Sequence, residues 1–356
     1  MGSPKVIITF VEKGASAIQR GERGVVALGL KDAAAAAGEY TVLTTVDIPA
    51  ALSAENRSFV TDALMGYQNT PKKVLLYVMN AAAEDVAAEY TKLEKWLSSV
   101  QFNWLAIPTV ETDGKAQEIA AWIKTQRTMH RTVKAVLPNT AADNEGIVNL
   151  TSSLYHGETE VTPEKSTPRI AGLIAGTPMS ISCTYAPLRD FTDCTRLAPD
   201  ELDSAVDDGK LVYEWDGEKV KISRGVNSFQ TTTDTKGESF KKIKIVEIMD
   251  MIQDDIRLTA QDNYIGKFAN SYDNKCLLIT AINAYFQELV RSNLLQSGTC
   301  EIDIDAQRNW LQSQGENIEE MDDNAVKTAN TGSYVFLKAT ISILDAMEDI
   351  TLDIYI

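Results

Sequence analysis

The sequence predicts an α/β domain built on a mostly parallel sheet, then a smaller α+β domain, with an extended β-strand arm at each end of the chain. The first half alternates strand-forming and helix-forming stretches, which favours right-handed crossovers and parallel strand pairing. The C-terminal third changes to long amphipathic stretches and isolated strands, which is typical of a separate α+β domain. Both ends of the chain carry apolar strand-forming stretches, although chain ends are usually polar. A chain of 356 residues has room for two or three domains.

These patterns divide the chain into five predicted segments. They are an N-terminal arm (1–23), an α/β domain (24–178), a connecting segment with a β-hairpin (179–238), a C-terminal α+β domain (239–344) and a C-terminal arm (345–356). In the N-terminal arm, Val6-Ile7-Ile8-Thr9-Phe10 forms the apolar strand. The glycine-punctuated polar residues after it have no helical period, so we expect them to be extended or irregular.

In the α/β domain, apolar runs and helical periods alternate along the chain. The predicted strands are 24–30, 40–46, 73–79, 103–107, 133–137 and 147–151, and the predicted helices are 53–66, 82–100, 115–129 and 163–175. Strands 73–79 and 103–107 are apolar almost throughout, as expected when both faces of a sheet are covered. Ser53 is placed to cap the first helix, and Thr162 followed by Pro163 is a helix start signal.

The connecting segment is predicted to be mostly irregular. Residues 180–197 resemble a long loop, and residues 199–206 a short helix. Residues 210–222 are predicted to form a β-hairpin, because Asp216-Gly217 supplies the positive φ angles that a tight turn needs.

The C-terminal domain is predicted to contain helices at 241–258 and 274–295 and strands at 299–303 and 333–344. In the C-terminal arm, Ile350, Leu352, Ile354 and Ile356 alternate with Thr351, Asp353 and Tyr355. Such alternation predicts a strand of up to about 23 Å with one face to bury and one to meet water. Residues 345–349 before it are the candidate hinge.

Composition and charge exclude several classes of protein. The chain has 34 basic and 50 acidic residues, a net charge of −16, so we expect no direct binding to nucleic acid phosphates. Its basic residues gather only in short clusters such as 241–244. We expect neither a membrane span nor a secretory signal. The four widely spaced cysteines predict reduced thiols in a cytosolic setting, and a Cys183–Cys194 bridge is the alternative.

The sequence predicts no catalytic, cofactor-binding or metal site. Residues 31–38 after the first strand lack the glycines and lysine of a phosphate-binding loop, and no G-x-S-x-G nucleophile elbow occurs. His130 and His156 each stand apart from other zinc-ligand residues, so we expect ordinary surface or loop histidines. The acidic run at 316–323 lacks the pattern of a calcium loop.

Several stretches, taken in their order and spacing, resemble one family. They are 24–28 (GVVAL), 169–175 (RIAGLIA), 225–228 (GVNS), 244–256 (KIVEIMDMIQDDI), 262–267 (DNYIGK), 281–286 (AINAYF) and the alternating closing strand. Together they resemble the contractile tail sheath proteins of bacteriophages, above all the short sheaths of Gram-positive phages, defective prophages and phage-tail-like bacteriocins. No single stretch is diagnostic.

The resemblance implies a structural protein without enzymatic activity or cofactor. Sheaths of this kind form hexameric rings stacked around a tail tube, and their arms add strands to sheets of neighbouring subunits. Contraction then drives the tube through a target envelope. The implied partners are further copies of the chain, the tube protein, and baseplate and tail terminator proteins, without direct contact to nucleic acid or insertion into a membrane. The implied location is the bacterial host cytoplasm during assembly and then the virion or tail-like particle.

Two surfaces follow as hypotheses. The inter-subunit strands would use Val6, Ile7, Ile8, Phe10, Ile350, Leu352, Ile354 and Ile356, with an acceptor beside residues 333–344. The alternative is that both arms complete the sheet of their own domain. A tube contact would use Glu316, Glu319, Glu320, Asp322, Asp323 and Lys327, and the alternative there is a solvated helix face.

Two other functions compete with the sheath hypothesis. The first is an α/β enzyme that uses the crevice at the carboxyl edge of the sheet. The second is the sheath of a related contractile apparatus such as type VI secretion. That family divides its sheath between two chains, whereas this single chain resembles both portions.

Overall fold

The computed structural model describes residues 17–18, 21 and 23–356. The predicted strand residues Val6, Ile7, Ile8 and Phe10 lie outside the described residues. The chain groups into two compact units, which we name the sheet unit (23–253 with 345–356) and the terminal unit (254–344 with residues 17, 18 and 21). The boundaries predicted at 178 and 238 fall inside the sheet unit, and the five-segment division stays a prediction.

The sheet unit contains most of the strands described in the chain. They are β1 (Val25–Asp32), β2 (Gly38–Val42), β3 (Lys73–Asn80), β4 (Trp104–Ala106), β5 (Lys134–Pro138), β6 (Ile147–Leu150), β7 (Leu154–His156), β8 (Thr159–Val161), β9 (Asp193–Cys194), β10 (Lys210–Leu211), β11 (Tyr213–Trp215) and β12 (Val220–Ile222). Its helices are α1 (Ala54–Met65), α2 (Val86–Ser99), α3 (Ala116–Thr128), α4 (Pro163–Ala175), α5 (Pro199–Asp207) and the first half of α6 (Ile243–Asn263).

Seven of these strands form one sheet in the order β10-β6-β5-β4-β1-β3-β2. Every pair in it is parallel except β2 with β3, which confirms the predicted mostly parallel sheet. Alternate residues of β1 face opposite sides. Val26 and Leu28 pack in the core that includes residues of α1 and α4, whereas Val25 and Ala27 pack in the core that includes residues of α2 and α3. The sheet is therefore covered on both faces.

Helices α1 and α4 pack with their backbones close together. A Cβ atom at Gly172 of α4 would lie 2.1 Å from the carbonyl oxygen of Ala63 in α1, so no larger residue fits there. Helix α4 occupies the bounds that the sequence predicts, with Thr162 as N-cap and Pro163 in the first turn. Ser53 likewise caps α1, since its hydroxyl accepts a hydrogen bond from the Asn56 amide at 3.3 Å.

A buried ion network holds the first half of α6 against the parallel sheet. Asp250 of α6 is 3% exposed and accepts a hydrogen bond from Lys134 Nζ of β5 at 2.7 Å. Arg127 of α3 donates to both oxygens of the same carboxylate, at 3.0 and 3.1 Å. Burial alone raises the pKa of Asp250, but attraction to Lys134 and Arg127 outweighs it and lowers that pKa.

Some predicted elements of the sheet unit are wrong in extent. Strand β2 ends at Val42 instead of residue 46, because a capping box at Thr44 and Asp47 closes a short turn. Lys210-Leu211 is not part of the hairpin but the edge strand β10, paired with β6. The hairpin itself is formed by β11 and β12 around Asp216 and Gly217, as predicted. The sequence pattern does not predict the small sheet β8-β7-β9.

The terminal unit combines helices with a two-stranded antiparallel sheet. Beyond the second half of α6, its elements are α7 (Tyr272–Arg291), β13 (Leu295–Ile302), α8 (Ile304–Ser313), α9 (Asp323–Thr328) and β14 (Leu337–Ile343). The predicted helix 274–295 ends earlier, since Asn293 adopts a positive φ of 55° and β13 begins at Leu295. Helix α8 was not predicted. Residues 316–322 lie in the loop between α8 and α9, so the acidic run is mostly not on a helix face as expected.

The C-terminal arm does not form the predicted strand in the single chain. Residues 345–356 carry no secondary structure. A β-strand needs a backbone partner, and no described residue pairs with this segment. None of the described helices is both long and apolar enough to cross a membrane.

The buried ion network generates a stability prediction. Replacing Asp250→Ala removes the carboxylate that Lys134 and Arg127 share and leaves each buried cation with one other carboxylate. We expect a loss of about 3 kcal/mol in the free energy of unfolding, since removing one partner of a buried ion pair is strongly destabilising. The control is Asp208→Ala, because the Asp208–Lys210 pair is exposed and should contribute less than about 1 kcal/mol. Equilibrium urea unfolding followed by tryptophan fluorescence measures both, and equal losses would contradict the prediction.

Candidate inter-subunit interface

The last seven residues expose an uncovered apolar face. The side chains in question are Ile350 (82% exposed), Leu352 (76%), Ile354 (76%) and Ile356 (123%). Single exposed apolar residues are common on protein surfaces, but four at every second position would share one face once the segment is paired as a strand. The alternative that this arm completes a sheet of its own chain is not realised among the described residues.

The sheet of β13 and β14 is covered on one face by α7. Gly298 of β13 packs directly on Phe286 of α7, where an added Cβ would lie 2.9 Å from the Phe286 Cβ. Opposite Gly298 and Cys300 stand Ile341 and Ala339 of β14, and directly opposed residues share a face. Gly298 and Cys300 are buried, whereas Ile341 is half-buried and Ala339 exposed. Helix α7 therefore covers this face of the sheet fully at β13 but only partly at β14.

Asn283 of α7 occupies the outer edge of β13. Its Nδ2 donates to the Cys300 carbonyl at 3.0 Å, and its Oδ1 accepts from the Cys300 amide at 2.7 Å. The N–H and C=O of one strand residue point to the same side, so those of Cys300 point away from β14. Asn283 thus satisfies the two backbone groups that an added strand would use at this position.

The opposite edge, along β14, is open. Because Cys300 turns its backbone groups away from β14, its partner Ala339 turns its own away from β13. By the two-residue period, Leu337 and Ile341 do the same. No described residue bonds to these groups outside the pairing with β13. We name Leu337, Ala339 and Ile341 the acceptor edge, because they present unpaired N–H and C=O groups to an added strand.

The structure separates the six predicted tube-contact residues. Asp322 caps α9 by accepting from the Ala325 amide at 2.7 Å, and Asp323 pairs with Arg308 at 2.9 Å. Both carboxylates therefore have a local structural role. Lys327 is half-buried in the last turn of α9. The side chains that are exposed without an ion pair to any described residue are Glu316, Glu319 and Glu320.

The cysteines and histidine considered as possible reactive or metal-binding groups have ordinary structural surroundings. Cys183 and Cys194 are free buried thiols, and burial raises the pKa of Cys183 to about 12 and that of Cys194 to about 11, which makes them poor nucleophiles. His156 stacks on Phe191 with ring centroids 4.5 Å apart. Within the described part of the chain, no three His, Cys, Asp or Glu residues are grouped to hold a metal ion.

Comparison with known proteins identifies relatives along the whole chain. Residues 81–228 match the phage tail sheath protein central domain, and residues 235–356 match the phage tail sheath C-terminal domain. The tail sheath protein of Clostridium phage phiCD119 is 37% identical over 360 residues, covering 99% of this chain and 98% of that protein. The phage-like element PBSX protein XkdK of Bacillus subtilis is 32% identical over 176 residues, covering 48% of this chain and 38% of that protein.

Solved structures share the fold. A sheath tail protein from Listeria innocua superposes with a TM-score of 0.69 at 19% identity, covering 82% of this chain and 91% of that one. The helical sheath of the anti-feeding prophage in its contracted state superposes with a TM-score of 0.74 at 13% identity, covering 100% of this chain and 99% of that one.

The cap on β13 generates a prediction about the sheet edge. Replacing Asn283→Ala removes both hydrogen bonds to Cys300, so we expect the unfolding free energy to fall by about 1–2 kcal/mol and the Cys300 amide to exchange faster with solvent. The control Asn324→Ala changes an exposed asparagine in α9 and should change stability by less than about 0.5 kcal/mol. Hydrogen exchange measures the amide, and unchanged protection at Cys300 would show that Asn283 does not cap the edge.

Proposed function

The chain belongs to the phage tail sheath family and is a structural subunit of a tail sheath, and we propose that it polymerises by adding its C-terminal arm to the acceptor edge of a neighbouring copy. The observation that carries this proposal is the coexistence of an exposed apolar arm and an open strand edge in one chain. The family resemblance predicted from the sequence is confirmed. Because the relatives are structural tail sheath proteins, the chain is not an enzyme, and the enzyme alternative is wrong.

Strand addition satisfies both exposed features at once. The arm would supply N–H and C=O groups to Leu337, Ala339 and Ile341, and its apolar side chains would extend the face that α7 covers only in part. Each backbone hydrogen bond contributes about 0.5–1.5 kcal/mol and each buried Ile or Leu about 1.5–3 kcal/mol, against an ordering cost of about 1–2 kcal/mol per residue. The net gain is on the order of a few kcal/mol per arm, repeated at every subunit.

The proposed polymer is a stack of hexameric rings around a tail tube, with baseplate and tail terminator proteins at its ends. Support comes from the sheath structures that share this fold, among them the anti-feeding prophage sheath in a contracted state. We infer that this sheath contracts too, after assembly in a bacterial host cytoplasm. A paired strand tolerates rigid-body rotation of the subunits it joins, because the pairing itself is local. Val6, Ile7, Ile8 and Phe10 of the N-terminal arm are proposed as the second exchanged strand, on the strength of their sequence pattern.

Of the six residues predicted to contact the tube, we propose that the exposed acidic ones make the contact. Asp322 and Asp323 serve α9 and Arg308, so Glu316, Glu319 and Glu320 offer the free negative charge, with Lys327 at the border. Charge complementarity with the tube suits a contact that must release, because it is screened by salt.

Deleting residues 350–356 tests the arm. We expect a folded chain with an unchanged thermal midpoint that no longer forms tubes, because the arm makes no strand pairing at home. Substituting Leu352→Asp with Ile354→Asp should have the same effect, since both lie on the apolar face. The control Thr351→Ser with Asp353→Asn alters the other face and should still assemble. Negative-stain microscopy and thermal unfolding are the measurements; tubes from the deleted chain, or its failure to fold, would overturn the proposal.

Reversing two charges tests the tube contact. Glu319→Lys with Glu320→Lys should reduce co-assembly with purified tail tube several-fold at low salt, and the difference should shrink at high salt. The control Glu158→Lys with Glu218→Lys makes the same change of charge at exposed positions of the sheet unit. Co-sedimentation with tubes gives the measurement. Equal binding of the two double variants to the tube would contradict the proposed contact.

A further inference from the structure

The five residues between Leu344 and the exposed last seven residues (350–356, here the arm) are bound to the surface of the sheet unit, and we name them the strap: Asp345-Ala346-Met347-Glu348-Asp349. We propose that the strap keeps the arm from folding back onto β14 of its own chain, so that the arm stays available to a second copy. This inference rests on the strand exchange proposed above and adds how that exchange is directed between chains. The sequence predicts a hinge at these residues, whereas their contacts in the structure are those of a clamp.

Glu348 is the centre of the strap. Its side chain is 7% exposed, although glutamate is rarely buried without partners. Thr184 Oγ1 donates to Glu348 Oε1 at 2.6 Å, and Lys242 Nζ lies 3.4 Å from Oε2. Arg224 Nε lies 3.7 Å from the same oxygen. One carboxylate therefore faces a hydroxyl donor and two cations, which is a specific seat for a negative charge.

The flanking residues of the strap are ion-paired with the same two cations. Asp345 pairs with Lys242, and Asp349 pairs with Arg224 at 2.5 Å. Burial lowers the pKa of Lys242, but its acidic neighbours Asp345 and Glu348 outweigh this and raise it. Met347 between them is 94% exposed, so the strap is held by its charges and not by apolar packing.

The seat is built from three segments that are fixed to one another. The Gly225 amide donates to Thr184 Oγ1 at 2.9 Å, and the Ile243 amide donates to the Gly225 carbonyl at 3.0 Å. A Cβ at Gly225 would lie 2.8 Å from Cys183 Sγ, so glycine is needed for this close approach. The basic cluster 241–244 is unusual in so acidic a chain, and its Lys242 now has a role as receptor for the strap.

Chain geometry shows why this position matters. A β-hairpin needs a connection of only about two to five residues, and five separate Leu344 from Ile350. The edge beside such a return strand is the open acceptor edge of β14. The arm could therefore pair with its own β14 if residues 345–349 were free to turn. The ion pairs of the strap hold those residues along the sheet unit instead.

Hydrogen exchange of the full-length chain tests the strap. We expect amides 351–355 of the unassembled chain to exchange rapidly, and the same amides in Lys242→Glu to become at least tenfold more protected, because the released strap permits the hairpin. Tube formation by Lys242→Glu should fall several-fold. Glu348→Gln should give a smaller change in the same direction. Adding Asp345→Lys to Lys242→Glu restores one ion pair with reversed charges and should recover part of both properties.

A matched control and two separate outcomes keep the test decisive. Lys210→Glu reverses a charge in an exposed pair elsewhere and should change neither exchange nor assembly. Rapid exchange at 351–355 in Lys242→Glu, or normal tube formation by it, would overturn the role of the strap. Failure of strand exchange itself is recognised differently: amides 351–355 of the unaltered chain would then stay unprotected in assembled tubes.

Discussion

The carboxylate of Asp250, buried between Lys134 and Arg127, is the contact that holds α6 in place, and the seat for the strap depends on that position. It fixes the first half of α6 to strands and helices that come much earlier in the chain. Lys242 directly precedes α6, so the position of the seat for the strap follows from the position of this helix. Removing a partner from such a buried group is costly, whereas exposed pairs contribute little. The network therefore determines geometry far from its own residues.

Charge also sets the terms for assembly. Each chain carries a net charge of −16, so identical subunits repel one another at long range. A contact that holds them together must be local and must not depend on net charge. Backbone hydrogen bonds and alternate Ile and Leu side chains have this property, because they act only after the strand is in register. The apolar arm thus provides an attraction between subunits that their shared negative charge does not provide.

Local patterns predicted the elements whose signals lie within a few residues. Thr162 and Pro163 defined the start of α4, and uniformly apolar runs predicted the buried strands β3 and β4. Where non-local pairing decides, the sequence was insufficient. Strand β10 is a two-residue edge strand that exists only through β6, and α8 turns mainly Gln307 and Leu311 inward, too little apolar surface for a helical period.

The same distinction applies to the candidate interface. The alternation of residues 350–356 predicted an apolar face, and the structure leaves that face exposed. Nothing in the sequence pattern indicated that Asn283 would cap Cys300, because a side chain that imitates a strand edge has no periodic signal. The sequence likewise predicts a hinge at residues 345–349. The role of the strap appears only when the distant residues Thr184, Arg224 and Lys242 are brought together.

The strap and the arm are adjacent in sequence but differ in how strongly salt weakens their contacts. The strap is held by ion pairs at the protein surface, which dissolved salt screens. The arm is designed for backbone pairing and apolar burial, which salt does not screen. An open β14 edge and a free apolar strand in one chain are an aggregation hazard when nothing directs their meeting. Clamping residues 345–349 keeps the arm away from the β14 edge of its own chain. The β14 edge of a neighbouring copy is then the surface that can pair with the arm and cover its apolar side chains.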